Sequence, residues 1–346
     1  TSLIPIYLSA KYSGYEGYRD IKSIITIHNI EYQGVFDLAI SEDVFDLHGK
    51  EKGIIEFKGA INLLKGALET AHFISTVSES YSKEILDDYY AHGLAEIIQK
   101  NSSKIKGILN GIDTEKYNPE DDTEIFENYN AESIQKKYLN KINLQSLSGL
   151  PQDEDIPVIG IISRLVKHKG FDLIKESMKE ILKEKVQFII LGKGDRGYEL
   201  FFKYLQESYR DKIYVRIGFD SDFAKKIYSG ADLFLMPSIS EPCGIAQMIS
   251  SRYGTVPIVR ETGGLKDSIK DASLGKGNGF TFIDETPQAL CEAVKRALIV
   301  YENKEDWRKL VETVMKMDFS WRKSAEKYFD LYSSLANFEE NNNEGF

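Results

Sequence analysis

Val158-Ile159-Gly160-Ile161-Ile162 runs directly into Ser163-Arg164-Leu165-Val166-Lys167-His168-Lys169-Gly170. A short apolar run that stops at a polar, basic turn reads as a buried strand. Phe171, Ile174, Met178, Ile181 and Leu182 then recur at the spacing of one buried helix face, which predicts a helix over 171–182. The same unit repeats downstream. Strands are expected at 186–191, 213–217, 233–236 and 256–259, and helices at 197–209, 222–228 and 245–253. Short apolar strands alternating with amphipathic helices require right-handed crossovers, hence an α/β fold with a doubly wound parallel sheet covered on both faces. Ligands of such sheets bind beyond the C-terminal ends of the strands, so the loops after the strands are where function is sought.

Upstream, 23–27 reads as a strand entering the polar loop His28-Asn29-Ile30-Glu31-Tyr32-Gln33-Gly34. Phe57, Ala60, Ile61, Leu64, Ala67, Leu68 and Ala71 predict a helix over 56–71. A strand at 73–77 follows, with Ser78 as cap of the next helix, and a third strand ends at Asn110-Gly111. Between 119 and 156 the composition turns polar around one helix at 131–140, which reads as an interdomain connection. The expected domains are 1–155, 156–319 and a C-terminal piece, 320–346. The stretch 287–335 reads as helical, with Trp307 and Trp321 as anchors, and 337–346 as a polar tail.

The chain has 346 residues, 42% of them hydrophobic, enough for two ordinary cores. A net charge of −10 opposes general affinity for nucleic acid or anionic membranes, yet says nothing about a small anion held by a few local cations. The apolar runs are too short to span a bilayer and Thr1-Ser2-Leu3-Ile4-Pro5 is not a secretory leader, so a cytoplasmic location is expected. Cys243 and Cys291 are not spaced for zinc, redox chemistry or a disulfide framework.

Gly192-Lys193-Gly194-Asp195-Arg196-Gly197 matches the Gly-x-Gly-x-x-Gly pattern between a strand and a helix. It reads equally as a tight turn, and the next strand ends Ile217-Gly218-Phe219 without the acidic residue of a dehydrogenase. Thr262-Gly263-Gly264-Leu265 is a second glycine loop, where unhindered N–H groups could converge on an anion, or a packing turn. Arg164 and Lys169 supply cations suited to two phosphoryl groups; otherwise they belong to a solvated turn. In Ser240-Glu241-Pro242-Cys243-Gly244 the carboxylate is a rigid acceptor for sugar hydroxyls or an ordinary acidic loop residue, and Cys243 is a small packing residue. His28 ends a strand beside polar Asn29. Asp153-Glu154-Asp155 and Asp220-Ser221-Asp222 belong to a charged connection and a helix cap, so no metal is expected.

Thr26-Ile27-His28-Asn29-Ile30-Glu31-Tyr32-Gln33-Gly34, Leu109-Asn110-Gly111-Ile112-Asp113, Ser163-Arg164-Leu165 with Lys169-Gly170, Glu241-Pro242-Cys243-Gly244, Arg260-Glu261-Thr262-Gly263-Gly264-Leu265 and Asp318-Phe319-Ser320-Trp321 occur in this order. Together they resemble the bacterial glycogen synthase (ADP-glucose starch synthase) family over nearly the whole chain. The resemblance implies the GT-B arrangement of two Rossmann-like domains facing across a cleft. It also implies metal-independent, cofactor-free, retaining transfer of glucose from ADP-glucose to the non-reducing end of an α-1,4-glucan. By motif, His28, Arg164, Lys169 and Glu241 match catalytic residues. Asn110, Gly194, Phe219, Cys243, Gly244, Thr262, Gly263, Gly264 and Leu265 fall in donor-binding positions, with Phe219 where a ring stacks near adenine. Two departures accompany the match. Ile249 stands where many GT-B relatives carry a second, ribose-holding glutamate, and the family's opening strand and Lys-x-Gly-Gly-Leu loop precede the point matching Thr1. The first domain is therefore expected to be incomplete and the chain as given to have little synthase activity. A UDP-glucose-dependent GT-B transferase and an inactive nucleotide- or glucan-binding fragment are the alternatives, and a homo-oligomer is left open.

Overall fold

The computed structural model describes residues 1–337, so all of the expected polar tail but Asn337 lies outside the described residues. The described chain divides into two compact units, one holding Thr1–Asn110 and residues 322–337, the other Gly111–Trp321.

The first unit carries β1 (Ile24–Ile27), β2 (Val35–Asp37), β3 (Glu56–Phe57), β4 (Ala60–Asn62), β5 (Phe73–Thr76) and β6 (Ile105–Gly107). Parallel β1-β5-β6 form one sheet and antiparallel β2-β4-β3 another. The long helix expected over 56–71 is overturned: only Leu63–Thr70 is helical. Lys58 and Gly59 both take positive φ and turn the chain between β3 and β4, and Asn62 caps the shortened helix by accepting from Lys65 N. The spacing misled because Ile61 is buried from a strand, among Ile6, Phe45, Leu47 and Ile55. Ser78 does cap its helix, accepting from Tyr81 N. The third strand stops at Gly107, short of Asn110, although Ile108 N still donates to Thr76 O. Helix Trp321–Asn337 is tied to this unit by Ser324 Oγ donating to Leu109 O at 2.5 Å and by a Lys327–Glu79 ion pair.

The second unit contains β7 (Val158–Leu165), β8 (Gln187–Gly194), β9 (Ile213–Ile217), β10 (Leu233–Met236), β11 (Val256–Arg260) and β12 (Phe280–Phe282). They form one parallel sheet in the order β12-β11-β10-β7-β8-β9. The first strand thus lies in the middle and the winding reverses between β7 and β10, the point at which sheets of this kind bind their ligands. Helices Phe171–Ile181, Arg196–Ser208, Ser221–Gly230, Ala246–Arg252, Gly263–Ser268 and Pro287–Glu302 join or follow the strands. Trp307 is 8% exposed and packs edge-on to Tyr301, whereas Trp321 is 46% exposed and does not serve as the expected anchor.

Residues 119–155 are not a bare connection. Tyr129 is buried and donates its hydroxyl to Tyr253 O at 2.7 Å. The helix here is Lys137–Leu147, later and longer than expected, and its Leu144 joins Ile227 and Ala231 in a core cluster. Composition misled because the polar residues point inward and satisfy backbone groups: Asn140 Oδ1 accepts from Phe126 N and Glu127 N. Lys137 is buried among Tyr228 O, Ser229 O and Thr255 Oγ1. Burial pushes its ammonium from an ordinary 10.5 down to about 7, against the pull of Asp232 and with the added repulsion of Lys141. The unfolded chain therefore binds more protons than the native one between these values, so stability should rise as pH climbs from about 7 toward 10. Urea midpoints at pH 6.5 and 9 should show this rise in the parent and a flatter response in Lys137→Met; equal responses would place the proton elsewhere.

Candidate active site

In the second unit the loops after β7, β10 and β11 interlock. Gly170 takes φ +78° and has no room for a side chain, because a Cβ there would lie 1.9 Å from Pro237 O. Ile239 N donates to His168 O at 2.9 Å, which fastens the loop after β10 to the basic turn after β7. Arg260, at the end of β11, donates to Ile239 O at 2.7 Å and pairs with Glu285 at 2.8 Å. Glu241 O accepts from Gly264 N, and Cβ atoms at Gly263 and Gly264 would collide with Glu241 O and Cys243 O at 2.1 and 1.9 Å. The second glycine loop is therefore explained by close packing of backbone on backbone. The helix it opens, Gly263–Ser268, is short and offers a smaller dipole than a full-length helix. Gly264→Ala should cost about 3 kcal/mol of stability through overpacking; a thermal melt like the parent's would mean that these loops can part freely.

At the winding reversal, Lys169 Nζ lies 2.7 Å from Glu241 Oε2, and Ser238 Oγ donates to the same oxygen at 3.0 Å. The Lys169 and Glu241 side chains are only 17% and 9% exposed. Sequence reading assigned the cation to a diphosphate and the carboxylate to a sugar; here they form one charge-assisted pair, so neither is an isolated charge. Ser238 carried no sequence signal, since its partner is chosen by the curl of the loop after β10. Cys243 is buried beside this pair with the neighbouring Gly244, which takes φ +69°.

A second feature lies beyond β7, β8 and β9. A cavity of about 480 Å³ is lined by Arg164, Lys193, Phe219, Lys116, Tyr117 and Lys225, among others. Arg164 is exposed and makes no ion pair among the described residues. The Phe219 ring is 95% exposed, so it has an open face for a planar ligand. Lys116, Tyr117 and Lys225 went unnoticed in the sequence because only the fold brings them to this rim. Of the first glycine loop, Gly192 lines the cavity while Gly194 does not; a Cβ on Gly194 would lie 2.2 Å from Leu165 O, so strand packing explains this glycine. Asp220 caps helix Ser221–Gly230 by accepting from Phe223 N and pairs with Arg216, so this carboxylate is already engaged. Thr262 and Leu265 are fully buried, Leu265 in a cluster with Val259 and Ile269.

In the first unit, His28 is exposed immediately after β1 and Asn110 is half-buried, three residues past β6. The parallel order β1-β5-β6 puts both beyond the C-terminal edge of one sheet. Thr76 Oγ1 donates to Ile27 O at 2.8 Å, and Ile30 N donates to the Tyr81 hydroxyl at 3.0 Å, which anchor the His28 loop on either side.

Two family descriptions match the chain: "Starch synthase catalytic domain" over residues 1–100 and "Glycosyl transferases group 1" over residues 146–313. The glycogen synthase of Clostridioides difficile is 45% identical over 339 residues, which cover 97% of this chain and 71% of that protein. The chain belongs to the glycogen and starch synthase family of glycosyltransferases. The glycogen synthase of Thermosipho melanesiensis is 44% identical, across 96% of this chain and 70% of that relative. Among solved structures, the catalytic domain of starch synthase IV from Arabidopsis thaliana, bound to ADP and acarbose, superimposes with a TM-score of 0.88 at 33% identity, covering 97% of this chain and 71% of that one. Sucrose-phosphate synthase from Thermosynechococcus elongatus, at 17% identity and a TM-score of 0.56 over 90% of this chain and 67% of its own, shares the fold alone. The fold of this synthase-family chain is GT-B, and it is a glycosyltransferase.

Proposed function

We infer that the chain transfers glucose from ADP-glucose to the non-reducing end of an α-1,4-glucan with retention of configuration. The observation that carries this reading is the Lys169–Glu241–Ser238 cluster at the winding reversal of a chain 45% identical to a glycogen synthase. The ADP and acarbose bound by the Arabidopsis relative support the donor and the glucan acceptor. In this reading Phe219 and the cavity beside it take the base, and Arg164 and Lys169 take the diphosphate. Glu241, Cys243 and Gly244 border the glucose, and His28 and Asn110 keep the roles toward the transferred sugar that their motifs imply. Glu241 already accepts from an ammonium and a hydroxyl, which quiets it as a nucleophile and favours front-face substitution. The departing phosphate oxygen then receives the acceptor hydroxyl's proton, while the cations stabilise the leaving charge. Both cysteines are buried thiols, in keeping with a reducing cytoplasm.

Turnover with ADP-glucose and UDP-glucose on a glucan primer, measured on a full-length version, tests the donor. ADP-glucose is expected to be used at least tenfold better; equal use, or preference for UDP-glucose, would overturn the assignment. A covalent glucosyl adduct trapped on Glu241 would overturn the front-face mechanism.

A further inference from the structure

Gln247, in the first turn of helix Ala246–Arg252, is fully buried. Its Nε2 donates to Gly244 O at 3.0 Å, to Cys243 O at 3.3 Å and to Ser268 Oγ at 3.0 Å. Ser268 Oγ passes the contact on, donating to Gly264 O at 2.6 Å. One amide thereby holds both carbonyls of the turn that follows Glu241 and links them to the segment that follows β11. The orientation is forced, because the opposite one would set the amide oxygen against two carbonyl oxygens. Yet Gln247 Oε1 is buried with no hydrogen-bond partner among the described residues. An unpaired buried acceptor costs stability, so what this side chain contributes lies in the contacts that its Nε2 makes.

We propose that Gln247 is a positioning residue which fixes the Glu241–Gly244 turn and so sets how strictly the site discriminates the sugar of its donor. This rests on the assignment of Glu241 to the glucose. Gln247 touches no substrate. It acts by keeping Cys243 and Gly244 at one height beneath Glu241, whose carboxylate is separately held by Lys169 and Ser238. Without the clamp the turn gains freedom at its C-terminal end only. Recognition of hydroxyl stereochemistry suffers, while the nucleotide, bound by other loops, is held as before. A displacement of about 1 Å is enough for large effects on a positioned group.

Calorimetric affinities for ADP, ADP-glucose and ADP-galactose, measured on the whole chain, test this without requiring turnover. Gln247→Met keeps the volume and removes the donor, and Gln247→Glu sets a carboxylate against the two carbonyls. Expected are an ADP affinity within about threefold of the parent's in both variants and a preference for ADP-glucose over ADP-galactose reduced about tenfold in the Met variant and further in the Glu variant. The melting temperature of the Met variant should fall by several degrees, because two buried carbonyls lose this donor, without a parallel fall in ADP affinity. An undiminished preference in both variants overturns the proposal. So does a parallel fall of all three affinities with the melting temperature, which would mark Gln247 as a folding residue. Glu241→Ala, measured alongside, separates the two levels of inference. If it erases the preference while the Gln247 variants keep it, only this proposal fails; if it binds as the parent does, the assignment of Glu241 fails first.

Discussion

In a version spanning the full length of its relatives, replacing Lys169 with alanine is expected to lower turnover of ADP-glucose on a glucan primer by about a hundredfold or more, with a much smaller change in stability. Two losses coincide. Removing a charge-assisted contact to a leaving group costs on the order of 3 kcal/mol of transition-state stabilisation, roughly a hundredfold in rate. The substitution also leaves the Glu241 carboxylate, 9% exposed, with Ser238 as its remaining side-chain partner. Arg164→Ala should lose the first contribution alone, because Arg164 is exposed and unpaired among the described residues. Initial rates for both variants, set beside their urea unfolding midpoints, decide the matter. Parent-like turnover in both would reduce the basic turn to a solvated loop.

Glu241→Ala should reduce turnover to a similar degree while ADP affinity stays within about threefold, since the carboxylate is assigned to the sugar and the nucleotide is held elsewhere. Because Lys169 and Glu241 share one contact at 2.7 Å, their effects should not add. The double alanine variant is expected to turn over only slightly more slowly than the worse single variant. Additive losses would show that each acts on the donor independently. A loss of ADP affinity confined to Glu241→Ala would show that it belongs to the phosphate end.

Local patterns succeeded where a segment's environment is uniform along its length. Strands β9 and β10 were legible to the residue: β10 is a compact buried apolar run between polar turns, and β9, partly buried at the sheet's edge, is still mostly β-branched and aromatic. The segment 56–62 failed for the opposite reason. Its apolar residues satisfy a helical period and a hairpin equally well, and the turn at Lys58-Gly59 decides between them. The polar stretch 119–155 failed because its buried polar residues are matched to distant backbone groups, as when Lys137 Nζ donates to Ser229 O at 2.7 Å.

By itself the sequence determined the alternation of strands and helices, the loops in which chemistry had to lie, and, through the order of its motifs, the family. These follow from short-range periodicity and from residue types that recur at fixed positions. Only the tertiary structure decided which loop residues act together. It joined Lys169 to Glu241 and Ser238, set Arg164 and Phe219 on another rim, and showed Gly194, Gly263 and Gly264 to be demanded by neighbouring backbone. The reason is that winding reverses between β7 and β10, so residues seventy or so positions apart become neighbours through the strand order, which no local pattern records.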